Sequence, residues 1–134
     1  MIFVLDASIT AVWGLADESS DLAEHLLTVT QADGAVVPPI WWYEIRNIML
    51  IAERRKRILA TDADEFLRSL GQVSIRVADP GDGQTILRLA RAHKLSVYDA
   101  AYLDLAIRES LPLGTLDSSL AQAAVAENIA VLSI

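Results

Sequence analysis

The chain has no cysteine among its 134 residues, which excludes disulfide frameworks, zinc–thiolate sites and thiol catalysis. No apolar run approaches the ~18 residues that a membrane-spanning helix needs, and Pro38–Pro39 interrupts the best candidate. The first five residues are apolar but carry no basic flank, so we expect no signal peptide. These absences together predict a cytoplasmic protein without a membrane segment.

Positive charge is also scarce. The chain has 18 acidic and 11 basic residues, a net charge of −7, and its lysines are Lys56 and Lys94. A groove that binds nucleic-acid phosphates unaided usually needs the opposite sign, so we do not expect a passive nucleic-acid binder. An enzyme that holds divalent cations with carboxylates remains compatible with this charge, because a bound cation inverts the local field.

The length fits a single domain spanning residues 1–134. Short apolar runs rich in β-branched residues alternate with longer segments of helical periodicity, which predicts a parallel sheet covered by helices on both faces. We expect five strands, at Ile2–Leu5, Ala35–Val37, Val73–Val77, Leu113–Leu116 and Ile129–Leu132. We expect helices over about 8–16, 20–31, 40–57, from Thr61 onward, 84–93, 96–109 and 118–127.

Acidic side chains stand at two of the predicted strand ends. Asp6 ends the first strand and Asp117 follows the fourth, so in a parallel sheet both emerge at the same edge, where such sheets form their sites. Taken singly, each is also well explained as the N-cap of the helix behind it. Asp99 lies near a helix start, where an acid favours the helix dipole.

Glu44 is harder to explain structurally, because it follows Trp41–Trp42–Tyr43 inside a helix whose other residues look buried. Asn47, one turn later, shares its face, whereas Arg46 points elsewhere on the helix. A buried carboxylate without a cation is costly, and a metal ion would remove that cost. Four acids from four segments contain the ligands for Mg²⁺ or Mn²⁺, which prefer carboxylate oxygens.

These segments resemble the PIN-domain nucleases, and most closely their VapC-type toxin branch. The resemblance rests on four motifs in order along nearly the whole chain: 4-VLDAS-8, 42-WYEIRN-47, 98-YDAAYL-103 and 115-TLD-117. It implies a three-layer α/β fold with a five-stranded parallel sheet flanked by helices. It also implies that Asp6, Glu44, Asp99 and Asp117 hold one or two Mg²⁺ or Mn²⁺ ions as the catalytic site.

The resemblance further implies an endoribonuclease whose products carry a 5′-phosphate and a 3′-hydroxyl, and which acts as the toxin of a toxin–antitoxin pair. The partners implied are an RNA substrate, a cognate antitoxin and a second copy of the chain. Ser8 and Thr115 match positions that support the pocket through their hydroxyls, although ordinary strand and turn chemistry explains them equally well. Asp104, five residues after Asp99, should face away from the pocket at the helical period.

Basic residues cluster at the end of the predicted third helix, at Arg54, Arg55, Lys56 and Arg57. A solvated helix C-terminus is the simpler explanation. Arg46, Arg54, Arg55 and Lys56 are nevertheless candidate RNA contacts, because so acidic a chain needs local positive charge beside a nucleic-acid site. The apolar surface of the first three helices exceeds what one sheet face needs, which also favours a homodimer.

Two other functions fit the pattern less well. A phosphatase with Asp6 as nucleophile, of the haloacid-dehalogenase type, would need a second acid where this chain has Ser8 and a lysine late in the chain, where none follows Lys94. A PIN-like domain that is non-enzymatic, or that processes RNA outside a toxin–antitoxin pair, remains the alternative. A loss of activity on changing Asp6 to Asn would argue for the enzyme, and a loss of stability alone for a structural role.

Overall fold

The computed structural model describes all residues, 1–134. It has four strands, β1 (Val4–Leu5), β2 (Ala35–Val37), β3 (Ile75–Val77) and β4 (Leu113–Gly114). Seven helices join and follow them: α1 (Ala7–Gly14), α2 (Asp21–Asp33), α3 (Ile40–Arg54), α4 (Ala60–Leu70), α5 (Gly83–His93), α6 (Val97–Glu109) and α7 (Ser118–Ala126). None of these helices combines the length and apolar character that a membrane-spanning helix requires.

The strands form one parallel sheet in the order β3-β2-β1-β4. The central strand β1 pairs Val4 with both Val36 and Leu113. Residues Phe3 to Leu5 are completely buried, as expected of a continuous apolar run in a sheet covered on both faces. Helices α1 to α4 pack against one another, while α5, α6 and α7 form a second packed group in which α6 contacts β1.

The prediction of a fifth strand at Ile129–Leu132 is wrong. In this segment Val131 makes a single parallel bridge to Leu113, supported by hydrogen bonds from the Leu113 amide to the Ala130 carbonyl and from the Leu132 amide to the Leu113 carbonyl. The neighbouring strand β4 has two residues, so it offers too short an edge to pair with a whole strand. The sheet therefore has four strands and one bridge at its edge.

Several boundaries also differ from the prediction: β1, β3 and β4 are shorter than expected, α1 ends at residue 14 rather than 16, and α2 ends at residue 33 rather than 31. Helix α3 ends at Arg54 rather than Arg57, because the chain turns at Lys56, whose φ is +61°. Helix α4 begins at Ala60, and its first turn is closed by Asp62, whose carboxylate accepts a hydrogen bond from the Leu59 amide at 3.0 Å.

Helix α3 is fixed against α1 by a buried polar contact as well as by apolar packing. The indole Nε1 of Trp41 donates to the Thr10 hydroxyl at 2.9 Å, and that hydroxyl donates to the Asp6 carbonyl at 3.3 Å. Both side chains are buried, so neither group can exchange its partner for water. The contact links the first turn of α3 to the end of β1.

A close backbone approach at Gly114 provides a test of this packing. A Cβ added there would lie 2.8 Å from both Leu26 Cδ1 and Phe3 Cε2. We expect Gly114→Ala to lower the free energy of unfolding by about 1–3 kcal/mol, as overpacking does in a full core. Urea denaturation followed by circular dichroism measures this. The matched control is Gly83→Ala, where a Cβ meets nothing within 4 Å at the start of α5; it should be neutral or stabilising by up to about 1 kcal/mol.

Candidate functional site

The site lies where β1 and β4 end side by side. Asp6 follows β1, and its amide donates to the Gly114 carbonyl at 3.0 Å, which aligns the two strand ends. Asp117 comes three residues after Gly114. Helices α3 and α6 carry Glu44 and Asp99. We call the four acids the acidic pocket.

The carboxylate of Asp6 is held by two hydroxyl groups. It is 5% exposed, and its Oδ2 accepts hydrogen bonds from Ser8 Oγ at 2.6 Å and Thr115 Oγ1 at 2.7 Å. The amide of Leu116 donates to Ser8 Oγ at 2.9 Å, and the amide of Asp117 donates to Thr115 Oγ1 at 3.0 Å. Because each hydroxyl oxygen already accepts a backbone proton, its own proton is free to point at Asp6.

Burial raises the pKa of Asp6, the two hydroxyl hydrogen bonds partly oppose this, and the negative charge of Asp117 adds to it. No cationic side chain compensates the charge, since none of the four pocket acids takes part in an ion pair. The desolvation cost of the Asp6 carboxylate is therefore met only in part by neutral donors.

Glu44 is half-buried on α3, and its Oε1 accepts a hydrogen bond of 2.7 Å from the hydroxyl of Tyr102. Burial raises the pKa of Glu44, and the negative charges of Asp6 and Asp99 raise it further. The tyrosine itself is completely buried. Glu44 is thus fixed at one oxygen by a neutral donor, just as Asp6 is.

Asp99 lies in the first turn of α6, where its amide donates to the N-cap hydroxyl of Ser96 at 3.0 Å. Burial raises the pKa of its half-buried carboxyl, and the charges of Asp117 and Asp6 act in the same direction. Asp117 caps α7, accepting a hydrogen bond from the Leu120 amide at 3.1 Å. The capping explanation therefore holds for Asp117.

The capping explanation is wrong for Asp6. It occupies the N-cap position of α1, yet its side chain makes no capping hydrogen bond. Its Oδ2 is instead used by Ser8 and Thr115, the second of which lies 109 residues away in the sequence.

The negative charges of neighbouring acids in this set raise the pKa values of Asp6, Glu44 and Asp99, and Asp117 is one of those charges, which indicates that the four carboxyls surround one pocket. No group of three or more acidic or histidine side chains has a geometry that could hold a metal ion directly. The donor chemistry does fit a hard divalent cation, because such a cation prefers carboxylate oxygens and no cationic side chain is paired with these four. Mg²⁺ also keeps several of its waters in proteins, so it does not require all four carboxylates in direct contact.

Asn47 is exposed on α3 and opens with Glu44 onto a groove of about 580 Å³. The walls of this groove come from α3 and the start of α6: Ile40, Tyr43, Glu44, Arg46, Asn47, Leu50 and Tyr98. Arg46 stacks on Trp42, with its guanidinium carbon 3.6 Å from the ring centroid, and donates to the Trp42 carbonyl at 3.1 Å. Its guanidinium is therefore held on Trp42 and forms no ion pair with the acids.

The basic end of α3, Arg54, Arg55 and Lys56, is exposed, and none of the three forms an ion pair. Arg57 differs from them, because its guanidinium binds Asp17 at 2.7 Å and Glu18 at 2.9 Å. Arg54, Arg55 and Lys56 therefore take no part in the ion pairs that Arg57 forms with the loop after α1.

Asp104 faces away from the acidic pocket, as the helical period predicts. It is buried against Gly81, and its Oδ2 lies 3.2 Å from the Nε of Arg108 one turn later on α6. Burial raises the pKa of this carboxyl, and Arg108 opposes the rise. Asp104 belongs to the contact between α6 and the loop before α5.

Sequence reasoning missed Tyr102, Trp41 and Thr10, which supply the buried hydrogen bonds around the pocket. One signal was available for the tyrosine. It lies among apolar residues three positions after Asp99, and a buried phenol usually finds a hydrogen-bond partner. Nothing in the sequence shows which partner it would be.

Comparisons with known proteins identify the family of the chain. The PIN-domain family matches residues 3–126, and the chain belongs to that family. It is 31% identical to Ribonuclease VapC3 of Pyrobaculum aerophilum over 125 residues, which cover 91% of this chain and 94% of that protein.

Two solved structures share the fold. PAE2754 from Pyrobaculum aerophilum superposes with a TM-score of 0.75 at 21% identity, covering 92% of this chain and 84% of that one. A toxin–antitoxin complex from Klebsiella pneumoniae superposes with a TM-score of 0.60 at 18% identity, covering 87% of each chain.

The raised pKa values predict how stability depends on pH in metal-free protein. The pKa values of Asp6, Glu44 and Asp99 lie above their ordinary values of 3.8, 4.5 and 3.8. The folded chain therefore binds more protons than the unfolded chain above about pH 4, so the free energy of unfolding falls as the pH rises through the folded pKa values. The lowered pKa values of Asp17 and Asp82 act below 3.8 and do not oppose this.

We expect Asp6→Asn to stabilise metal-free protein at pH 7 by on the order of 1 kcal/mol, because it removes a buried charge repelled by its neighbours. The gain should shrink as the pH falls toward 4, because protonation of the Asp6 carboxyl removes the buried charge from the folded wild type. Urea unfolding between pH 4 and 8 measures it, with Asp64→Asn on the exposed face of α4 as control. A stability gain of the same size at pH 4 and at pH 8 would contradict the assignment of a raised pKa to Asp6.

Proposed function

We propose that this chain is a Mg²⁺- or Mn²⁺-dependent endoribonuclease that acts as the toxin of a VapC-type toxin–antitoxin pair. The observation that carries the proposal is the acidic pocket, whose four acids form no ion pair and in which the pKa values of Asp6, Glu44 and Asp99 are raised. The likeness to Ribonuclease VapC3 over most of both chains supports ribonuclease as the activity.

In the proposed site Asp6, Glu44, Asp99 and Asp117 would hold the cation. A bound Mg²⁺ or Mn²⁺ supplies Lewis-acid stabilisation of the phosphoryl oxygens and lowers the pKa of coordinated water. Ser8 and Thr115 fix Asp6 at Oδ2, which leaves its other oxygen to face the pocket. In the hydrolysis, the water oxygen joins phosphorus, the phosphorus–O3′ bond breaks, and a proton passes to the 3′ oxygen, giving a 5′-phosphate and a 3′-hydroxyl.

We expect purified protein to cleave RNA with Mg²⁺ or Mn²⁺ present and not with EDTA, and Asp6→Asn to slow cleavage by at least about 100-fold, the scale on which pre-organised electrostatic stabilisation acts. Gel analysis of end-labelled RNA and DNA, with end-group mapping, measures this. Asp64→Asn should cleave at the wild-type rate; wild-type cleavage by Asp6→Asn would instead favour a non-enzymatic role for the acids.

RNA needs positive charge near a pocket this acidic, and the basic end of α3 is the best source. Arg55 comes eleven residues after Glu44, about three turns along the same face of the helix or roughly 16 Å. Arg46 is a weaker candidate because its guanidinium stacks on Trp42. The proposal is that the RNA backbone runs from the pocket along α3 toward Arg54, Arg55 and Lys56.

A salt titration tests the route. In an Asp99→Asn background, which prevents cleavage, Arg55→Gln should weaken RNA binding and reduce the slope of log affinity against log salt by about 0.7, the value for one phosphate contact on a single strand. Fluorescence anisotropy with labelled RNA gives both quantities. Arg88→Gln, at an exposed position on α5, is the control and should leave the slope unchanged; equal slopes for both variants would place the RNA elsewhere.

Two protein partners belong to the proposal. One solved relative of the same fold is a toxin–antitoxin complex, which supports a cognate antitoxin for this chain. A homodimer is supported by the apolar residues that α3 exposes away from the face of Glu44 and Arg55, which are Trp42, Tyr43 and Leu50, because large apolar patches on a surface mark interaction sites.

The dimer is tested by sedimentation velocity. We expect a dimer at micromolar concentration, and a shift toward monomer when Leu50 is changed to Glu, because a charge would be buried in the interface. The control is Val125→Glu, which alters an exposed apolar residue on α7. Wild-type protein that sediments solely as a monomer would exclude the homodimer.

A further inference from the structure

Tyr102 combines two properties that a packing residue alone does not need. It is completely buried on α6, in a run where residues 102–106 are all buried. Its hydroxyl nevertheless lies 2.7 Å from Oε1 of Glu44, a residue 58 positions earlier on α3. A phenylalanine would fill nearly the same volume without burying a polar group, so the hydroxyl is what distinguishes this position.

The hydroxyl proton has a defined direction. The Ala7 amide and the Asp6 carboxyl both lie close enough to the phenol to affect its pKa. With a backbone N–H on one side and an acceptor at Glu44, the hydroxyl donates its proton to Oε1. The phenol remains protonated there, because burial and the neighbouring carboxylates raise its pKa.

Glu44 needs such a contact, because its other surroundings do not fix it. It is half-buried and opens onto the groove beside α3, so its carboxylate has room to turn toward solvent. It repels Asp6 and Asp99, which would drive it away from the pocket in metal-free protein. The single hydrogen bond that the Glu44 side chain accepts is the one from Tyr102.

We infer that Tyr102 is a positioning residue for Glu44: its hydroxyl binds Oε1, holds the carboxylate over the acidic pocket and leaves Oε2 to face a divalent cation. The inference rests on the proposed function, since it assigns Glu44 to the cation site. Asp99 and Tyr102 lie one turn apart on α6, so one helix then supplies a pocket acid directly and orients another.

The test is a double-mutant cycle on Mn²⁺ binding by the full chain, measured by isothermal titration calorimetry. We expect Tyr102→Phe to weaken Mn²⁺ binding by about tenfold, the lower end for losing a hydrogen bond to a metal ligand. Glu44→Gln should weaken it as well. In the double variant the loss from Tyr102→Phe should shrink to less than about twofold, because the residue acts through Glu44.

The control variant is Tyr43→Phe, which removes an exposed hydroxyl that makes no hydrogen bond; its Mn²⁺ affinity should equal that of wild type. Equal weakening by Tyr102→Phe in both backgrounds would show a general structural effect and overturn the inference. The inference would also be overturned if Tyr102→Phe bound Mn²⁺ with wild-type affinity while Glu44→Gln bound it weakly.

Failure of the proposed function gives a different pattern. Wild-type protein that binds no Mn²⁺, or Glu44→Gln that binds it as wild type does, removes Glu44 from a cation site and the inference with it. Far-UV circular dichroism checks that Tyr102→Phe is folded. If it is not, Glu44→Asp replaces it, because the shorter side chain keeps the charge but withdraws it from the phenol; wild-type affinity in that variant would overturn the inference.

Discussion

The constraint on which the site depends is the burial of the Asp6 carboxylate at the end of the central strand. This carboxylate is 5% exposed and has no cationic partner, so the chain must supply hydrogen-bond donors of fixed direction. Ser8 and Thr115 do so, and each is itself oriented by a backbone amide of the segment after β4. The parallel pairing of β1 with β4 therefore extends the sheet and also brings together the hydrogen-bond donors of Asp6.

The sequence predicts much of this arrangement because a parallel sheet places the ends of neighbouring strands at one edge. That rule brings Asp6 and Asp117 together without any knowledge of side chains. The sequence singles out Glu44 for a different reason, which is the free-energy cost of a carboxylate inside an otherwise apolar helix. The direction of Asp104 followed from the helical period alone, and the structure confirms it.

The remaining features depend on contacts that no local pattern encodes. The phenol of Tyr102 and the indole of Trp41 find partners 58 and 31 residues away, and apolar periodicity treats both side chains as core. The predicted fifth strand failed for a related reason. Its apolar run is typical of a strand, but whether it pairs is decided by β4, which ends after two residues.

The choice of partners for the pocket acids bears on function. The serine, threonine and tyrosine hydroxyls at Asp6 and Glu44 are neutral, so they fix each carboxylate without cancelling its charge. An arginine or lysine would stabilise the same carboxylates more strongly and would lower their pKa values, but it would also remove the negative potential that attracts a divalent cation. Neutral donors orient the carboxylates without cancelling their charge, as the proposed cation site requires. A pocket built only for stability would have used the cations that this chain places elsewhere, at Arg57 and Arg108.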